Sequence, residues 1–459
     1  MEEMQHNLAA QEAKFDLDEL FFSITDLESR ILSGNDTFVR ISGYSRQELI
    51  GAYHNIVRHF DMPRTVFKLF WNYIQNGKPV VAFVKNKTKT GEYYWVLAAV
   101  FPLGERYVSI RIKPQSKLFD AVRELYVRLI MAEAKLDTEA CDSYLNELLR
   151  NNGFENYDRF MHEALVTELI ERKKALQNLR HKQALLKADD SCFASIIGTI
   201  YQTTDSLLEH YNKRFETVEV FNGIKTMFEE KSLSLSALAR DIVFLSLNAS
   251  VASYKLEENG ETFAVLASDI RTNAKENDEL IASIDANAQN LAGQLNAIIF
   301  IVSSISLQIE TVNYFIKELI VNKTKVCDEE LRLNIDSLFE LVSIYNEKLE
   351  FLPYEVEKLL HKTVTLLDAL EQQIMYLGYV QIYGIIESSR NAEDSLGFGN
   401  IFSQLKELIR KTESEITMMR KVNDEFSKDN AKMAKESLSV KARLHYLSEK
   451  IKELEAMEC

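Results

Sequence analysis

Between Phe21 and Pro114 the chain breaks into short runs of alternating apolar and polar residues. FFSIT and RILSG alternate with period two and predict strands, whereas NDTFVRI and SRQELI have helical spacing and predict two short helices. A helix is expected from Pro63 to about Gln75, followed by three β-rich runs: PVVAFVKNKT, EYYWVLAAVFP and RYVSIRIKP. The first two are joined across KTGE, where Gly91 suits the positive-φ position of a hairpin turn. Residues 16–115 therefore predict an open antiparallel sheet, two strands and then a three-strand meander, with helices over one face and one concave surface to fill.

From Ser116 onward the pattern is almost wholly helical. Residues 116–189 predict two or three connecting helices, the longest being DRFMHEALVTELIERKKALQNLRHKQALLK. Further on, positions spaced alternately by three and four from Phe263 to Leu319 form a coiled-coil seam. All 17 are apolar except Asn277, whereas the chain's 46% hydrophobic content would give about eight. Adding 135 to each position lands on a second seam, from Phe398 to Leu454, broken only at Thr412, Asn423, Asn430 and Ser437. The frame was set by the first seam, so the second is a test of it. Two tandem hairpins are expected, 190–324 and 325–459, with arms of some 60 residues and about 90 Å each at 1.5 Å per residue. Pro353 is expected to kink or divide the third arm. The competing reading makes the second hairpin an independent helical pair that shares only common heptad chemistry.

Composition narrows the function classes. Glycine (15) and proline (5) are scarce, as long helices require, and the net charge of −15 argues against broad binding to nucleic acid or anionic membrane. Cys141, Cys192, Cys327 and Cys459 stand without CxxC spacing, which fits a reducing compartment and gives no zinc or covalent haem site. The opening residues 1–15 read as a polar tail without signal-peptide character. The longest apolar run, AIIFIV, is far short of the roughly 20 residues of a bilayer span. A cytoplasmic protein is expected. No nucleophile with an ordered base, no phosphate-binding loop and no metal-ligand cluster points to an enzyme.

The candidate chemistry lies in HNIVRHFDMPRTVFKLFW, residues 54–71. With GNDTFVRISGYSRQELIG before it and VKNKTKTGEYYWV after it, this stretch resembles the PAS domain of bacterial aerotaxis receptors over residues 20–113. The resemblance implies FAD, held non-covalently as a redox sensor, with Asn35, Arg58, His59, Asp61, Trp71, Asn86, Tyr94 and Trp95 as the matching contacts. An anionic pyrophosphate and a flat ring with polar edges need Arg or His donors and aromatic walls, and the 54–71 segment supplies both types. Composition alone would make the charged residues solvated ion pairs and Trp71 ordinary core. Phe60 replaces the family's proline within the motif, which removes a fixed φ from the loop. Haem ligated by His59 is the alternative cofactor, and a pocket without cofactor the third.

DIVFLSLNASVASYKLEENGETFAVLASDIRTNA, residues 241–274, resembles the hairpin tip of methyl-accepting chemoreceptor signalling domains. There two hairpins pair into a four-helix bundle, and the tip binds a histidine kinase and its coupling protein. Leu247, Asn248, Ala249, Gly260, Phe263, Ala264, Val265, Ala267 and Arg271 are kept. The polar approach has become Asp241, Ile242 and Val243, the tip glutamate is Ala252 and its arginine is Lys255. The second tip keeps little beyond Arg390 and Phe398. Glu229 and Glu230 read as a solvated face rather than a methylation pair. The expected molecule is an α+β PAS domain followed by an elongated antiparallel coiled coil or four-helix bundle, dimeric or self-contained. It would be a cytoplasmic aerotaxis-like transducer that signals to the kinase and coupling protein; the altered tips favour a non-chemotactic client as the alternative.

Overall fold

In the computed structural model, residues 11–177, 192–254, 260–322, 329–390 and 397–455 are described. Strands β1 (Phe21–Asp26), β2 (Ile31–Gly34), β3 (Val80–Lys87), β4 (Tyr93–Leu103) and β5 (Arg106–Ile112) form one sheet in the order β2-β1-β5-β4-β3, with every pairing antiparallel. Helices α1 (Asp36–Ser42), α2 (Arg46–Leu49) and α3 (Arg64–Gln75), with a 3₁₀ turn at His54–Val57, fill the crossing between β2 and β3. Gly91 turns the β3–β4 hairpin at φ +101°, a conformation that costs glycine little because it has no Cβ. The predicted architecture is the observed one.

Strand alternation divides the sheet residues between two faces. Tyr107, Ser109 and Arg111 of β5 lie with Ala98 and Val100 of β4 and Asn86 of β3 on the face that α3 covers. The opposite face carries Phe22, Phe83, Trp95 and Phe101. Around Phe83 and Trp95 it is covered by helices expected to act as a connector, α4 (Lys117–Glu133) and α6 (Tyr157–Gln177), with α5 (Thr138–Asn151) packed against them, while Phe22 and Phe101 meet Phe315 and Tyr345. Phe119 packs on Phe83 and Trp95, with ring centroids 5.5 and 5.4 Å apart, and Phe160 on Phe83. The Tyr126 and Tyr157 hydroxyls donate to the carbonyls of Phe83 and Val81, at 2.9 and 3.0 Å. Residues 116–177 are thus a layer on the sheet rather than a free link. The rest of the predicted connector, 178–189, lies outside the described residues, as do residues 1–10 of the tail.

Four long helices follow: α7 (Cys192–Ser253), α8 (Gly260–Asn322), α9 (Glu329–Arg390) and α10 (Phe398–Glu455). The chain divides into two compact units. One holds Met1–Phe215, Ile299–Leu349 and Leu438–Cys459, and the other Glu216–Ile298 and Glu350–Ser437. All 17 positions of the first seam are buried, Asn277 included. In the second seam Thr412, Asn423 and Asn430 are buried despite their polarity. Asn430 donates to the Pro353 carbonyl at 2.8 Å, and Asn287 to the Leu359 carbonyl at 2.9 Å and Thr363 Oγ1 at 2.8 Å; such polar layers fix helix register at some cost in stability. Pro353 does not divide its arm, because α9 runs unbroken from Glu329 to Arg390, although the two units part between Leu349 and Glu350, just before it.

Two stretches, within Val220–Ser253 and Glu261–Val321, are long and apolar enough to cross a membrane by length and composition, contrary to the expectation from AIIFIV. The core helix of a bundle meets the same description, and 78% of the second stretch is buried. Both tips, 255–259 and 391–396, lie outside the described residues, Lys255 among them. Of the kept tip residues, Ala249, Phe263 and Ala267 are buried, but Leu247 and Val265 are exposed.

Candidate functional site

Between the sheet and α3 lies a cavity of about 280 Å³. That is near the lower end of the range for small-molecule sites, roughly 300–1,000 Å³. Its aromatic wall is Phe67, Phe70 and Trp71 from α3, and its polar groups come from His54, Asn55 and Arg58 of the crossing and from Asn86, Ser109 and Arg111 of the sheet. Helical spacing puts Phe67, Phe70, Trp71 and Ile74 on one face of α3, which is why a single helix can supply the wall.

Arg111 dominates the electrostatics. Its guanidinium is buried; Nη2 donates to Ser23 Oγ at 2.9 Å and to His54 Nε2 at 2.5 Å. Nη1 has no hydrogen-bond partner, and Arg111 makes no ion pair among the described residues. Burial lowers its pKa to about 10, so it still carries charge at neutral pH. The same burial, with the Arg111 charge beside it, holds His54 well below its ordinary 6.5. His54 is therefore neutral, with Nε2 accepting from Arg111. A buried cation without a counter-charge is costly, and an electron-rich ligand edge would relieve it. Arg58 lies over the Phe67 ring at 4.0 Å, and burial lowers its pKa too.

Of the residues singled out from the sequence, Arg58, Trp71 and Asn86 line the cavity. The other five do not. His59 and Asp61 pin their loop to β3: His59 Nδ1 accepts from the Asp61 amide at 3.1 Å, and Lys85 Nζ pairs with Asp61 at 2.6 Å. His59 Nε2 is buried without a partner among the described residues, and the ring stacks on Phe60 at 4.2 Å. With these ties the loop closes without the family's proline, and Phe60 is left 77% exposed. The histidine in the cavity is His54, so the haem alternative finds no axial ligand there in His59. Tyr94 sits in the core against Phe15 and Phe21. Trp95 is on the opposite face of the sheet, against Phe119 and Tyr126. Asn35 ties β1 through the Phe22 amide and the Leu20 carbonyl, and donates to Glu318 of α8 at 2.8 Å.

His54 and Arg111 line the cavity but were not among the contacts expected from the sequence. Tyr107, Ser109 and Arg111 alternate through RYVSIRI, and a charged residue in the polar half of an otherwise buried strand is a signal that could have found the second.

Two outcomes follow. Trp95→Ala should cost about 3 kcal/mol of stability while leaving ligand retention intact, whereas Trp71→Ala should empty the cavity with a smaller loss. Thermal melts and the absorbance of the purified variants check both. Acidification is the second. His54 is held well below 6.5, and burial lowers His59 and His162 to about 4. Below pH 6.5 the unfolded chain binds protons that the folded chain refuses, so stability is full above 6.5 and declines as pH falls toward 4. The loss is up to about 1.4 kcal/mol per pH unit for each histidine, less where solvent reaches the ring. Tm measured from pH 7 to pH 5 should fall, and less steeply in His162→Gln.

Comparison with known proteins agrees with the fold. Residues 31–112 match a family model described as the PAS fold, so the chain carries a PAS domain. Over 117 residues it is 43% identical to the aerotaxis receptor of Escherichia coli (strain K12); the match covers 24% of this chain and 23% of that receptor. Solved structures similar to it include the LOV domain of the Erythrobacter litoralis EL346 blue-light activated histidine kinase, 20% identical over 20% of this chain and 94% of that one, with TM-score 0.20. The Aureochrome1 LOV domain in its light state is 23% identical over 27% of this chain and 94% of that one, with TM-score 0.21. Such low scores carry no argument of their own.

Proposed function

We propose that this chain is a sensory transducer, not a catalyst, whose PAS domain reads redox state or oxygen through a non-covalently bound flavin and signals through its helical bundle. The observation that carries the reading is the buried guanidinium of Arg111, which has no ion pair and no partner for Nη1 among the described residues, in a cavity walled by Phe67, Phe70 and Trp71. Such a donor set suits a flat aromatic ring with carbonyl edges. Arg111, Asn86 and the neutral His54 would hold its polar edge, with Arg58 available to an anionic portion. When bound, the flavin supplies reversible electron uptake; the residues around it supply donors whose hydrogen bonding depends on its charge. Similarity to the aerotaxis receptor over 117 residues supports a sensory role for the PAS domain; the flavin, the cytoplasmic setting and the histidine kinase with its coupling protein rest on the resemblances carried by residues 20–113 and 241–274.

The absorbance spectrum of the purified chain tests the sensor. Twin blue bands are expected, a Soret band would replace flavin with haem, and a colourless folded preparation that takes up no added FAD would sink the reading. A second reading for the output, a non-chemotactic client, is favoured by the tip itself, where Phe244, Leu247 and Val251 present exposed apolar side chains and Asp241, Ile242 and Val243 replace the polar approach. Affinity purification decides between them: recovery of the kinase and coupling protein supports the first, and their absence beside another stoichiometric partner supports the second.

A further inference from the structure

The 135-residue shift that relates the two seams reappears in the contacts. In the unit formed by 216–298 and 350–437, Phe263 and Phe398 stack with ring centroids 4.4 Å apart, and 398 − 263 is 135. In the other unit the Tyr211 hydroxyl donates to Asn346 Oδ1 at 2.8 Å, and 346 − 211 is again 135. Like elements that face each other across a two-fold axis bring the residues on that axis against their own counterparts. Each unit, taken by itself, therefore has a local two-fold relation between its hairpin segments.

The hairpins also share an internal register. In the first, Ser232 Oγ donates to Asp285 at 2.7 Å. Shifted by 135, Asp285 becomes Arg420 and Ser232 becomes Leu367, and Arg420 pairs at 2.6 Å with both Asp368 and Glu371, one and four residues further on, so the arms agree to within about a turn. The outer face repeats as well: Phe244, Leu247 and Val251 are exposed, and so are Tyr379, Ile382 and Ile386 at the shifted positions. Independent helical pairs sharing only heptad chemistry would have no reason to agree in arm register, outer face and mutual contacts at once.

We propose that the two tandem hairpins pair with each other within one chain, as the halves of a fused dimer, so that this chain closes its bundle without a second subunit. The sensor then sits on the joint. Asn35 and Thr37 hydrogen-bond to Glu318 near the end of α8, while Ser33 and Arg46 hold Glu330 and Arg106 holds Ser337 and Glu340 at the start of α9. One PAS domain thus grips the last turns of the first hairpin and the first turns of the second. A change in the sheet is felt as a change between the two halves. The inference rests on the bundle contacts and stands whatever fills the cavity.

Cross-linking of the full chain tests it. With Cys141, Cys192, Cys327 and Cys459 replaced by serine, Phe263→Cys and Phe398→Cys in the same chain are treated with a short bis-maleimide in dilute solution. The expected product is linked within one chain, at least ten-fold over any two-chain species. A co-expressed mixture of chains carrying one cysteine each is expected to give none. A link between chains in that mixture would overturn the proposal. Where this pair reduces helical circular dichroism, Tyr211→Cys with Asn346→Cys reads the same relation. For the unaltered protein, one-chain mass with full helicity at nanomolar concentration is expected; a two-chain species that loses helicity as it dissociates counts against the fused dimer.

Discussion

Arg111→Met should raise the Tm of the ligand-free protein and abolish the flavin retention proposed above. The two effects have one cause. The guanidinium is buried, charged at neutral pH, and among the described residues has neither a carboxylate nor a partner for Nη1. Methionine fills similar volume without the desolvation cost, while Ser23 Oγ and His54 Nε2, 3.2 Å apart, keep each other as partners. A gain of about 1–3 kcal/mol, by analogy with buried charges replaced by apolar residues, corresponds to several degrees in a domain of this size. With ligand the sign reverses, because a charge-assisted hydrogen bond to a flavin edge disappears and binding should weaken by at least 100-fold, about 2.7 kcal/mol. Melts of the ligand-free protein and flavin absorbance after purification measure the two halves. Wild-type flavin stoichiometry in the variant would remove Arg111 from the site.

Glu318→Ala should uncouple the sensor from the bundle while leaving the cavity intact. The Glu318 carboxylate is largely buried and accepts from the Asn35 amide, the Thr37 backbone N–H at 3.1 Å and the Thr37 hydroxyl, at the start of α1. Burial raises its pKa, and the hydrogen bonds from Thr37 and Asn35 pull the other way. Truncation leaves the Thr37 N–H without its acceptor, for an expected cost of about 2–4 kcal/mol across the three bonds. Thr37 Oγ1 keeps the Tyr314 hydroxyl at 3.0 Å, and Phe22 keeps its packing on Phe315 at 5.2 Å, so separation should be partial. Hydrogen exchange at Asp36–Ser42 and Tyr314–Glu318 should quicken, flavin absorbance should stay at wild-type level, and Glu318→Gln should lie between. Unchanged exchange in Glu318→Ala would show that the apolar contacts alone hold the sensor in place.

The sheet and the seams were legible in the sequence because each rests on a period that the residues carry locally. Every strand written from alternation is present, and the seam set at Phe263 is buried to Leu319. The continuity of α9 through Pro353 was not legible, nor was the hydrogen bond that the Pro353 carbonyl accepts from Asn430, 77 residues away.

The site was legible in part. Arg58, Trp71 and Asn86 line the cavity, but alternation alone assigns Trp95 and Tyr94 to opposite faces without saying which face holds the cavity. The seven-residue helix α1 and the loop before it gave no sign that Asn35 would meet Glu318, 283 residues further along, nor did β5 alone show that Arg111 would find no counter-charge among the described residues. Periodicity is a property of neighbouring residues and can be read from the chain one segment at a time. Burial, orphaned charge and the grip of a strand on a distant helix depend on which segments meet, and that is settled only when the whole chain packs.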